Sequence, residues 1–93
     1  MPFTGNDKPK RLGYNIASPT ILRVGGLRFV IFPNDHEPAH VHVIGPDWEA
    51  VVDLIDVNIR EAIHCASHQA NAAVRLVAER REDLLVAWRK IHG

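Results

Sequence analysis

An α+β domain is predicted, a small antiparallel β-meander of about four strands packed against a long C-terminal helix. Three observations predict it. Short β-rich runs follow one another between residues 20 and 55, separated by Gly-Gly, Pro-Asn-Asp and Gly-Pro-Asp turns. Apolar residues then recur at spacings of three and four from Ala70 to Ile91. The chain has 93 residues, room for one core and not two.

Residues 1 to 18 hold Pro2, Gly5, Asn6, Pro9, Gly13 and Asn15 with no apolar period. They read as a flexible N-terminal extension, and residues 19 to 93 as a single α+β domain. Thr20 to Val24 is β-rich and stops at Gly25-Gly26, a pair that supplies the positive φ of a tight hairpin turn. Leu27 to Phe32 is the returning strand. His40 to Ile44 is the third strand, and Trp48 to Ile55 the fourth. Turns between consecutive neighbours make the sheet antiparallel. Ile59 to Ala66 fits either a short strand or a helical turn. Ser67 is a plausible N-cap for the helix that follows. One helix of about 24 residues would span roughly 36 Å, long for so small a domain. A break near Arg80, or a snorkelling Arg81, is the alternative. Trp48 and Trp88 are expected as core anchors.

Composition narrows the function. The single cysteine, Cys65, allows no intramolecular disulfide and no cysteine-based zinc site. No apolar run approaches the ~20 residues of a membrane span, and the basic N-terminus has no apolar region behind it. A cytoplasmic protein without membrane contact is the expectation. Net charge is zero, which disfavours a general nucleic-acid binder. The zero hides a polarity: residues 35 to 61 carry seven acidic side chains against Arg60 alone. No glycine-rich phosphate loop or other cofactor motif is legible, so no cofactor is expected.

The densest chemistry is Asp35-His36-Glu37-Pro38-Ala39-His40-Val41-His42. On a strand, residues i and i+2 share a face, so His40 and His42 point the same way, roughly 7 Å apart. Val41 and Val43 point the other way and satisfy the core without them. The histidine face is then solvent or a site. His-x-His can give two ligands to a zinc, nickel or copper ion, with His36 or Glu37 as a third. The same pair suits acid–base work at a phosphodiester. Arg28 on the preceding strand could clamp a phosphate, or pair with a carboxylate such as Glu49. Glu49 could face either histidine and fix its tautomer. A His64/His68 pair would bind metal only if the helix reached back to Ile63.

The chain from Ser18 to Gly93 resembles the small bacterial family of domains of unknown function numbered four-one-six-zero. The resemblance rests on Pro19-Thr20-Ile21-Leu22-Arg23, on Gly26-Leu27-Arg28-Phe29, on Glu37-Pro38-Ala39-His40-Val41-His42-Val43, and on Leu84 to Trp88. The Glu-Pro-x-His-Val-His-Val segment is its most specific part. The resemblance implies a toxin-like protein of a toxin–antitoxin module, with a cognate small protein partner. It leaves the reaction open. The matching positions with functional potential are Arg28, Glu37, His40, His42 and Glu49. After Val43 this chain has Ile44-Gly45-Pro46, without the basic residue often found there.

Two readings follow. In one, the chain is a toxin-like enzyme, a metal-independent ribonuclease with His40 and His42 as acid and base and Arg28 on the phosphate. In the other, it is a non-catalytic module that docks a protein or binds a metal. A DNA-binding regulator has little behind it, since no helix-turn-helix is legible. An exposed edge strand would allow a homodimer.

Overall fold

A computed structural model describes residues 20–93. The expected N-terminal extension, residues 1 to 18, lies outside the described residues. The order of elements is β1 (Thr20–Val24), β2 (Leu27–Val30), β3 (His40–Ile44), β4 (Glu49–Asp53), β5 (Ile59–Ile63), α1 (Ser67–Glu79) and α2 (Arg81–His92). The strands form one antiparallel sheet in their sequence order. The α+β class and the meander are as expected, with two corrections. The sheet has five strands rather than four, because the ambiguous stretch after Asn58 pairs with β4 as β5. The long helix is two helices, broken at Arg80.

That break has a visible anchor. Arg81, which interrupts the apolar stripe, is the first residue of α2, and its Nε–H donates to the Leu54 carbonyl at 2.7 Å. The bond ties the start of α2 to the end of β4. Ser67 is not the cap of α1. Ala66 holds that position, and its N–H donates to Gln69 Oε1 at 2.8 Å. The helix therefore does not reach Ile63, and a His64/His68 pair on one helical face does not form.

Period-two alternation sorts the sheet into two faces. Phe29, Val43 and Ala50 align across β2, β3 and β4, and Val41 aligns with Val52. These residues form the core with Ala73 and Val77 of α1 and Leu84 and Trp88 of α2. Trp48 joins them, so both tryptophans are core residues. Gly45 lets the chain pass Trp48: a Cβ there would overlap the indole ring. The opposite face carries Val30, His42, Val51 and Glu61 in one row, and His40 beside Asp53 in the next.

Both histidines are 7% exposed, although the pleat points them away from Val41 and Val43. The loop 31–39 folds back over them. It starts with a turn in which Asp35 N–H donates to the Phe32 carbonyl at 3.0 Å. In return Phe32 N–H donates to Asp35 Oδ2 at 3.2 Å. The turn sets the Phe32 ring edge-on to His42, with centroids 4.9 Å apart. Among the described residues, no helix is long and apolar enough to cross a membrane.

Candidate metal centre

The strand pleat points His40 and His42 into the space beneath the loop. Their rings are 5.4 Å apart and edge-to-face. His42 Nδ1 lies 2.7 Å from Glu49 Oε2, and its Nε2 lies 3.1 Å from Asp35 Oδ2. His40 Nδ1 lies 2.8 Å from the Pro38 carbonyl oxygen, and its Nε2 lies 3.4 Å from the same Asp35 Oδ2. Two imidazole Nε2 atoms thus converge on one carboxylate oxygen. Each Nδ1 is held on the far side by an oxygen acceptor.

Electrostatics follow from burial and these contacts. For His42, burial opposes the charged ring. The hydrogen bonds and charges of Asp35 and Glu49 outweigh that and raise its pKa above 6.5. For Asp35, burial works upward, but the bond to His42, the His42 charge, the Phe32 N–H and the His40 charge together hold it below 3.8. Glu49, His42 and Asp35 thus form one hydrogen-bonded chain whose two carboxylates favour the charged form of the ring between them. The Arg60 guanidinium stands on the other side of the pair of rings, against His40.

The residues singled out in the sequence divide as follows. His40, His42 and Glu49 meet, and Glu49 faces His42 rather than His40. Arg28 sits opposite Ile44, two residues along β2 from the row of His42, and its Nη1 donates to Thr20 Oγ1 at 3.3 Å. Glu37 accepts from the Trp88 indole N–H at 3.1 Å. His36 is exposed, and the grouped donor set is Asp35, His40 and His42, all within 4.8 Å of one another. Asp35 thus takes the place in that set considered for His36.

Two residues were not singled out. Asp35 reads locally as turn chemistry, and only the reversal at Phe32 brings its carboxylate over β3. Arg60 reaches His40 from β5, with Nη1 2.7 Å from His40 Nδ1 and 3.3 Å from the Pro38 oxygen. Nothing local in the sequence signals that contact. Aromatic rings close the rest of the wall. Trp88 stands 5.3 Å from His40, and His92 stacks on Trp88 at 3.8 Å.

A family model covers residues 26–89, a stretch that includes β2 to β5, the loop over the histidines and nearly all of both helices; its description is Domain of unknown function (DUF4160). The chain belongs to the DUF4160 family. No curated protein and no solved structure matches it. Within this DUF4160 domain, chemistry has to be argued from the donor set itself. Two imidazole nitrogens and a carboxylate oxygen suit a divalent transition ion. Bonds of about 2.0–2.1 Å in a tetrahedron place ligand atoms roughly 3.3 Å apart. The two Asp35 distances, 3.1 and 3.4 Å, are of that size. The outer contacts also fit, because metal-bound histidines usually donate their other N–H to a carboxylate or a backbone carbonyl. Three protein ligands leave a coordination position open.

Proposed function

We propose that this domain binds one divalent transition metal ion through Asp35 Oδ2, His40 Nε2 and His42 Nε2, with Glu49 and the Pro38 carbonyl holding the rings. The observation that carries the reading is the convergence of both Nε2 atoms on one buried carboxylate oxygen. His42 Nδ1 is tied to Glu49 on the opposite side, and His40 Nδ1 has the Pro38 oxygen within reach, the outer contacts that ligating imidazoles use. Metal binding displaces the His42 Nε2 proton, so affinity rises with pH.

The toxin-like role implied by the family resemblance, and action on RNA through the two-histidine face, are also proposals, and this geometry bears on their mechanism. Asp35 and Glu49 flank His42 on both sides and oppose the approach of a phosphate to that ring. Glu49 and Asp35 occupy both nitrogens of His42, leaving no free acid or base. Held by Asp35, His40 and His42, a divalent ion would supply positive charge and polarise an oxygen ligand at the open position. Phosphodiester chemistry at this face therefore runs through the metal and not through a His40/His42 acid–base pair. The antitoxin-like protein partner belongs to the same proposal.

Calorimetric titration of Zn²⁺ and Ni²⁺ into the chelator-treated protein tests the reading. One ion per chain is expected, with binding lost in Asp35→Ala and in His42→Ala once circular dichroism shows both variants folded. Equal binding by the folded variants overturns the site. Induced expression in a bacterial host, wild type against His40→Ala/His42→Ala, then tests the toxin role. Arrest by the wild type alone supports it; arrest by both removes this face from it.

A further inference from the structure

Arg60 makes a contact that His40 cannot reconcile with metal binding. Its Nη1 lies 2.7 Å from His40 Nδ1, the atom that is also 2.8 Å from the Pro38 oxygen. A guanidinium has only donors. For Arg60 to hydrogen-bond Nδ1, that nitrogen must present its lone pair, and the ring proton then sits on Nε2, facing Asp35. For Nδ1 to donate to Pro38, the proton must sit on Nδ1, and Nε2 presents the lone pair that a metal needs. One neutral ring cannot do both.

The sheet delivers Arg60 to this place through an irregularity. Glu61 pairs with Val51 and Ile59 pairs with Val52, so Arg60 is an additional residue in β5. Bulges of this kind re-aim a side chain. Here the guanidinium crosses β4 to a histidine on β3, 20 residues away in sequence. Arg60 is exposed while His40 is buried, so the contact sits at the solvent side of the site.

We infer that Arg60 is a positioning residue that latches His40 in the Nε2–H tautomer, and that a metal ion must release this latch to bind. The inference rests on the metal reading above and adds its regulation. The exchange changes no charge: the Nε2 proton leaves to water and Nδ1 takes one from water. Arg60 keeps the Pro38 oxygen, 3.3 Å away, as its acceptor in the unlatched state only by giving up the His40 nitrogen. Arg60 engaged on His40 opposes binding, so its removal tightens the site.

The test pairs imidazole ¹⁵N NMR with zinc titration on the wild type and Arg60→Met, which keeps an unbranched stem but has no donor. Chelator-treated wild type should show His40 with its proton on Nε2, and Arg60→Met with its proton on Nδ1. Zinc should bind Arg60→Met about tenfold more tightly, the scale of one hydrogen bond to a charged donor. Arg60→Lys keeps the positive charge. If it reproduces the wild-type affinity while its ring has moved to the Nδ1–H form, charge and not the latch sets affinity, and the inference fails. It also fails if Arg60→Met leaves the tautomer unchanged. Failure of the metal reading looks different: the tautomer flips in Arg60→Met, yet no variant binds zinc.

Discussion

Replacing Glu49 by Gln tests the electrostatic frame of the site most directly. The substitution keeps the size of the side chain and one oxygen for His42 Nδ1, but removes the negative charge. In the wild type that carboxylate lies 2.7 Å from a ring whose side chain is 9% exposed, and is itself 13% exposed. Hydrogen bonds to charged groups in such surroundings contribute about 1.5–3 kcal/mol. A loss of about 2 kcal/mol is expected near pH 5.5 for the metal-free protein, or on the order of 10 °C in Tm for a domain of this size. The loss depends on pH. His42 has its pKa raised above 6.5 in the folded state. Its contribution to stability is therefore fully present below pH 6.5 and is lost as pH rises through the folded value. The gap between wild type and Glu49→Gln should narrow from pH 5.5 to pH 9. Urea denaturation in the presence of a chelator, followed by tryptophan fluorescence at both pH values, measures it. A gap that is the same at both pH values would refute the reasoning, because the carboxylate would then act through packing and not through a charged His42.

Other substitutions separate the supports of the fold from those of the site. Asp35 has its pKa lowered below 3.8, so its contribution is present above that value and lost as pH falls through the folded one. Asp35→Asn should accordingly flatten the acid limb of a stability–pH curve measured by thermal melts. Gly45→Ala forces a methyl into the Trp48 indole and should cost about 1–3 kcal/mol by urea denaturation, with zinc binding kept in the folded fraction. Leu84→Ala, at a fully buried position of α2, should cost about 2–5 kcal/mol in the same assay. Asp53→Ala removes the acceptor of the Ile55 and Asp56 N–H groups, 2.7 and 2.9 Å away, and should cost about 1–3 kcal/mol.

The meander was legible because its signals are local. Gly25-Gly26, the alternation of His40 to Val43 and the helical stripe each announce themselves within a few residues. Glu49 was legible as a partner for a histidine because the turn at Gly45–Asp47 sets it opposite Ile44, on the face that His42 shares and one diagonal step away. Where local signals end, so does legibility. The stretch from Ile59 to Ile63 has one partly buried residue followed by exposed ones. An edge strand of that kind owes its form to backbone pairing with β4, which no alternation reveals. The apolar period runs on through Arg80, and what breaks it is a tertiary bond from Arg81 to the Leu54 carbonyl. Asp35 and Arg60 come to the histidines through a turn and a bulge, and both act over a distance that residue spacing does not encode.

Strand order in this sheet also bears on how the chain assembles. Each strand pairs only with its sequence neighbours, and the donors with their hydrogen-bond partners lie between Phe32 and Arg60, while Trp88 and His92 close the wall from α2. Contacts of short sequence separation close quickly, because little loop entropy is spent on each. The three donors themselves span only residues 35 to 42. A bare hairpin or meander is marginal in water until something covers its apolar face. An ion held there would therefore tie β3 to its loop without help from α1 or α2, while the apolar face of the sheet still needs both helices to cover it.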